Sequence, residues 1–208
     1  DQKTGKRVSE TLADFLPNTQ VMVLSGPSFA HDVASGLPTA ITLACDNMQA
    51  ALAACKTLSS STLRLYASSD MRGVELGGAL KNVMAIAAGI VKGASFGESA
   101  KAAIIARGFV EMERVAEAYG ARPETLKGLS GLGDLVLTCG TEQSRNYSYG
   151  LSLARSNANQ SEKLAEGAYT ASSAKRLAEH LGVEAPIIGA VADVLSGQQT
   201  IRQAVESL

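Results

Sequence analysis

Between Glu75 and Lys92 this chain carries a single charged residue, Lys81. A segment so poor in charge has no polar stripe to turn toward water. The spacing therefore predicts one long helix over Met71 to Val91, apolar around most of its circumference, with the remaining elements wrapped about it. The apolar run from Leu76 to Val91 is interrupted by Lys81 and Asn82 and falls short of the ~18 uncharged residues of a membrane span, so it reads as a buried helix. Helical spacing places Gly77 and Gly78 one turn before Lys81, Ala85 one turn after it and Ala88 two turns after. Two readings fit a cation with such small neighbours. Either the small residues admit another backbone while Lys81 snorkels to water, or a cation has been given room to act.

Composition narrows the partners. The chain has 208 residues, 46% of them hydrophobic, enough for one domain or two with a sizeable core. A formal charge of -1 and a pI near 6.2 provide no electrostatic footprint for nucleic acid or an anionic membrane. Cys45, Cys55 and Cys139 are odd in number and lack metal-ligand spacing, which fits free thiols in a reducing compartment better than a disulfide framework. The opening residues are polar and begin with Asp1, without the apolar core of a signal peptide, so a fragment of a longer protein is expected.

Up to about Ser68, helix and strand patterns alternate. Val8, Leu12, Phe15 and Leu16 share a helical face, and Pro17-Asn18 breaks it. Strands follow at VMVLSG from Val21, TAITLA from Thr39 and LRLYA from Leu63. Between them stand a short helix from Ser28 to Ser35 stopped by Gly36, and an alanine-rich helix from Asn47 to Leu58 with Asp46 as its expected cap. This alternation indicates an α/β layer with mainly parallel pairing. Beyond Asp70 the strand signal ends. Helices are expected over Met71–Val91, Lys101–Tyr119, Leu132–Thr138, Asn146–Arg155, Thr170–Leu181, Pro186–Leu195 and Ile201–Ser207, an all-α bundle. The expected domains are residues 1–69, the remainder of a nucleotide-binding sheet, and residues 70–208. No G-x-G-x-x-G precedes a helix, so the element that cradles a pyrophosphate is not in this chain.

Four polar constellations accompany Lys81. In SGPSFA, Ser25 to Ala30, a strand ends before a helix whose first N–H groups suit an anion, or which is simply a capped turn. In GLSGLGD, Gly128 to Asp134, the glycines permit close backbone approach and Asp134 falls at a helix start; without the Gly-Lys-Ser/Thr of a P-loop, a structural turn is the competing reading. In Ser144-Arg145-Asn146, a guanidinium between hydroxyl and amide suits phosphate or carboxylate, or is a solvated arginine after a loop. Glu166-Gly167 alone carries no signal, and His31 and His180 have no partners suggesting a triad or a metal. Taken together, a buried base, an acid to orient it and a guanidinium for an anion suit proton abstraction from an alcohol bearing a phosphate or carboxylate.

The segments SGPSFA, GLPTAIT, ELGGALKNVMAIAAGI, AKAAIIARGF, GLSGLGDLVLTC, SRN and the late EG, in this order, resemble the bacterial NAD(P)-dependent sn-glycerol-3-phosphate dehydrogenases over essentially the whole chain. The resemblance implies the C-terminal part of a Rossmann-type domain followed by an all-α substrate domain of the 6-phosphogluconate dehydrogenase C-terminal type. It also implies interconversion of glycerone phosphate and sn-glycerol 3-phosphate for phospholipid synthesis. Carried over by motif, Lys81 is the catalytic base. Gly26, Ser28, Lys81, Asp134, Ser144, Arg145 and Asn146 bind the substrate, and Ala30, Arg145, Leu164 and Glu166 contact NAD or NADP. A cytoplasmic homodimer without metal, nucleic acid partner or membrane span is implied as well. The family's N-terminal half and its glycine turn are missing, so the isolated chain is expected to be inactive. A related 3-hydroxy-acid dehydrogenase and a non-catalytic helical dimerisation fragment are the competing assignments.

Overall fold

The computed structural model describes residues 5–155 and 165–208. Helix α1 (Val8–Phe15) leads to β1 (Val23–Ser25), α2 (Ala30–Ala34), β2 (Thr39–Ala44), α3 (Met48–Leu58) and β3 (Leu63–Ser68). The three strands form one sheet in the order β1-β2-β3. Strands β2 and β3 run parallel, with Thr39 opposite Leu63 and Ala44 opposite Ser68, and α3 provides the crossover that parallel neighbours require. Strand β1 lies antiparallel to β2, Val23 opposite Ala44, so the expectation of mainly parallel pairing holds for only one of the two strand pairs. The cap of α3 is Asn47 rather than Asp46: its side chain accepts N–H groups of Gln49 and Ala50 at 3.0 and 3.2 Å.

From Asp70 onward the elements among the described residues are helical: α4 (Met71–Gly93), α5 (Glu98–Ala118), α6 (Pro123–Lys127), a π-turn (Leu129–Gly133), α7 (Asp134–Gly140), α8 (Arg145–Ala154), α9 (Glu166–Leu181), α10 (Pro186–Leu195) and α11 (Ile201–Ser207). Helix α4 is long and apolar enough to cross a membrane, but it is the axle of this bundle and touches α5, α7, α8, α9 and α10. Its start is fixed by Asp70, whose carboxylate accepts the N–H groups of Gly73 at 2.9 Å and Arg122 at 2.8 Å. Helix α8 lies closest to it. A Cβ at Gly89 would overlap the carbonyl oxygen of Tyr147, and one at Gly150 would overlap that of Ile86, so the two backbones meet where neither has a side chain.

Two smaller apolar clusters complete the core. Ile41, Leu43, Cys45, Ala51, Cys55 and Leu65 seal the sheet against α3, while Ala44, Met71 and Val74 join it to α4. Helix α1 is attached differently. Glu75 of α4 accepts the Ser9 N–H and hydroxyl and pairs with Arg7 at 2.6 Å, whereas the shared face of Val8, Leu12, Phe15 and Leu16 is exposed.

Candidate active site

Side chains on a helix lean toward its N-terminus, so Lys81 extends over the turn that contains Gly77 and Gly78. Two structures press on that turn. A Cβ at Gly77 would stand 2.5 Å from the Ser130 carbonyl oxygen of the π-turn, and one at Gly78 would stand 2.9 Å from Ser25 Oγ at the end of β1. The glycines therefore bring the π-turn and the sheet edge up to α4, which is the close-approach reading of these small residues.

The approach places Asp134, the first residue of α7, against Lys81. Lys81 Nζ donates to Asp134 Oδ2 in a salt bridge that is largely closed to water, the aspartate side chain retaining 4% and the lysine side chain 19% of their exposure. Thr138, one turn further along α7, donates its hydroxyl to Asp134 Oδ1 at 3.2 Å, and the Gly26 backbone N–H also favours the carboxylate. Burial nevertheless dominates and pushes the Asp134 carboxyl up, against the opposing pull of the Lys81 ammonium and the hydrogen bonds from Lys81, Thr138 and Gly26. Gly26 itself is pressed against β2, where a Cβ would come within 2.9 Å of Ile41 Cα. Cys139 lies in the same interior, and burial holds its thiol up to about 12, un-ionised and unreactive at neutral pH.

A second group forms where α8 and α9 begin. Ser144 caps α8 by accepting the Tyr147 N–H, Arg145 pairs with Glu166 at 2.9 Å in the open, and Asn146 Oδ1 accepts the Gly167 N–H at 2.8 Å in the interior. Gly167 abuts α4 beside the lysine: a Cβ there would lie 2.6 Å from the Asn82 carbonyl oxygen. The two groups thus bracket consecutive residues of α4, Lys81 and Asn82.

The structure brings together Lys81, Asp134 and Gly26 in the first group and Ser144, Arg145, Asn146 and Glu166 in the second. Ser28 directs its hydroxyl to the Gly26 carbonyl at 3.2 Å, and Ala30 opens α2 as an exposed residue. Leu164 lies outside the described residues. Thr138 is not among the residues the sequence singles out, and Gly167 stands there only as half of the Glu166-Gly167 pair. Thr138 was readable by its i+4 spacing from Asp134 but was hidden in an apolar run, and Gly167 has no signal of its own. Among the described residues no group of His, Cys, Asp and Glu is placed to hold a metal.

A small α/β sheet feeding a helical bundle, with a buried lysine–aspartate pair where they meet, defines the class: a Rossmann-type portion followed by an all-helical domain. Sequence comparison narrows it. The family description "NAD-dependent glycerol-3-phosphate dehydrogenase C-terminus" matches residues 70–206, and the corresponding "N-terminus" description matches residues 1–51. This chain belongs to the NAD-dependent glycerol-3-phosphate dehydrogenase family. It is 52% identical over all 208 residues to the glycerol-3-phosphate dehydrogenase [NAD(P)+] of Brucella ovis and 53% identical to that of Mesorhizobium japonicum, spanning 64% and 61% of their lengths. The crystal structure of glycerol-3-phosphate dehydrogenase from Coxiella burnetii superposes with a TM-score of 0.92 at 40% identity, covering 99% of this chain and 65% of that one. The enzyme from Saccharomyces cerevisiae shares the fold, with a TM-score of 0.83 at 23% identity over 95% of this chain and 62% of that one.

Proposed function

We propose that this chain is the C-terminal portion of an NAD(P)-dependent glycerol-3-phosphate dehydrogenase that interconverts glycerone phosphate and sn-glycerol 3-phosphate, serving phospholipid synthesis. Residues 1–69 are the remainder of the nucleotide-binding domain in this proposal, and residues 70–208 the substrate domain. The observation that carries it is the buried contact of Lys81 with Asp134.

Lys81 Nζ is the group that takes the proton of the C2 hydroxyl in the oxidative direction and returns it to the C2 oxygen in the reductive one. Asp134, held by Thr138, fixes the ammonium and stabilises its charge when the proton resides there. Around this pair, Gly26, Ser28 and Asn146 supply hydrogen-bonding groups for the glycerol phosphate, Ser144 holds the start of α8, and Arg145 provides the fork for phosphate. The Arg145 guanidinium is 72% exposed and, among the described residues, is engaged at one nitrogen by a carboxylate that is itself in water, so its donor set suits a phosphate of substrate or dinucleotide. Ala30, Arg145, Leu164 and Glu166 are the residues of this chain that would hold NAD or NADP, which supplies the hydride acceptor and donor when bound. The family resemblance adds a homodimer and the cytoplasm to the proposal. Three buried free thiols fit a reducing compartment.

Turnover of glycerone phosphate by the full-length enzyme tests the assignment. Lys81→Ala is expected to lower kcat by about 10²–10⁴-fold, the range for losing a general acid–base, in protein that still melts cooperatively. Near-normal turnover in that variant would refute the role of Lys81.

A further inference from the structure

Helix α9 begins at Glu166 with Ala165 at its cap position, a residue with no side-chain acceptor to offer the first N–H groups. The acceptor comes from another helix. Asn146 Oδ1 takes the Gly167 N–H at 2.8 Å, and both residues are buried. This bond has a chemical consequence for Asn146, because an asparagine amide has one oxygen and one nitrogen, and a peptide N–H can be satisfied only by the oxygen. With the oxygen committed to α9, what Asn146 has left to offer a ligand is its NH₂.

We infer that Gly167 is a positioning residue which, through Asn146, makes this point of the site a hydrogen-bond donor toward the substrate and never an acceptor. The inference rests on the reading of the site as one for a phosphate-bearing alcohol, and it refines that reading by fixing which ligand atoms Asn146 can meet: phosphate or carbonyl oxygens, not hydroxyl protons. Glycine is required for the orientation. Its missing Cβ lets the α9 backbone settle on α4, where any side chain would come within 2.6 Å of the Asn82 carbonyl oxygen and within 2.9 Å of Ile86 Cδ1. The orienting bond and the close approach are thus two uses of one peptide unit, next to the residue that follows Lys81.

Two substitutions separate the orienting role from the capping role. Asn146→Asp keeps an oxygen for the Gly167 N–H and replaces the ligand-facing NH₂ by a second oxygen, whereas Asn146→Ala removes both. Amide hydrogen exchange of Gly167 followed by NMR should show slow exchange in the wild-type chain and in Asn146→Asp, and fast exchange in Asn146→Ala. Calorimetric titration with sn-glycerol 3-phosphate should show affinity at least about tenfold weaker in Asn146→Asp, the scale of a hydrogen bond to a charged group, without loss of melting temperature. The deficit should narrow as pH falls toward about 4, where a growing share of the aspartate is protonated and again supplies a donor, an effect that capping alone would not produce. Equal protection of Gly167 in Asn146→Ala, or wild-type affinity in Asn146→Asp, would overturn the inference while leaving the proposed function intact. A full-length wild-type enzyme that binds no glycerol 3-phosphate would overturn both.

Discussion

Glu111 is a carboxylate buried in the helical part away from the site, and its removal makes a quantitative test of how α10 is held. Helix α10 starts at Pro186 without a side-chain cap of its own. Glu111, on α5 and only 3% exposed, accepts Ile187 N–H at 2.8 and 3.0 Å through its two oxygens and Ile188 N–H at 3.1 Å. Glu111→Ala strands two buried N–H groups at about 1–3 kcal/mol each, offset by roughly 1–2 kcal/mol because a costly buried charge is also removed. The net loss at neutral pH is about 0–5 kcal/mol and centres on roughly 2–3 kcal/mol, a large part of the roughly 5–15 kcal/mol available to a domain. Burial holds the Glu111 carboxyl above its ordinary value despite the two N–H donors and the charges of Arg107 and Arg114. A carboxyl raised in the folded state stabilises fully below its unfolded pKa of 4.5, and that stability is lost as pH rises through the folded value. The penalty of Glu111→Ala, read from urea midpoints across this window, should therefore shrink with rising pH. Glu111→Gln, which keeps an oxygen for the two N–H groups and carries no charge, should stay within about 1 kcal/mol of wild type at neutral pH. A Glu111→Ala variant within 0.5 kcal/mol of wild type at every pH would refute the argument, since ~1 kcal/mol is the least that one stranded N–H can cost.

Gly150→Ala should be among the most damaging single-methyl additions in the chain. Its Cβ would meet the Ile86 backbone, which cannot rotate away, so a loss of about 1–3 kcal/mol or more from overpacking is expected in thermal or urea unfolding. Asp70 behaves oppositely to Glu111 on acidification. Burial raises its pKa, but hydrogen bonds from Thr125, Gly73 and Arg122 together with the Arg122 charge outweigh this and leave it below the ordinary 3.8. Its contribution is present above that unfolded value and is lost as pH falls through the folded one, so Asp70→Asn should flatten the acid limb of the stability profile, and Asp70→Ala should cost about 1 kcal/mol at neutral pH through the lost cap.

The elements with strong local signals were legible in the sequence. Pro186 at the first turn of α10 and Gly182 in a left-handed conformation (φ 66°) after α9 mark helix ends by backbone chemistry alone, and the charge-poor run gave α4 its central place. Strand direction was not legible, because β1 and β2 bear the same short apolar pattern whichever way they pair. Helix α6 has five residues, too few for a period to register, although Pro123 opens it. The candidate site divides in the same way. Lys81 stood out as a charge where none was expected, and Arg145 as a guanidinium beside polar donors, whereas the i+4 contact of Thr138 with Asp134 was masked by an apolar run and that of Asn146 with Gly167, 21 residues apart, depends on tertiary packing.

The π-turn at Leu129–Gly133 gives the site a tolerance of chain length on one side of Asp134 that it lacks on the other. A π-turn is in effect one residue more than an α-helix would use between the same two points. A residue removed from the turn is taken up by closing it into regular helix, which leaves α7 in register and the Asp134 carboxylate still facing Lys81. A residue removed between Asp134 and Thr138 has no such reserve: it turns Thr138 by roughly 100° about the axis and away from the carboxylate it supports. The spacing that matters to the site is therefore the one inside α7, and the turn before it is where the chain has length to spare.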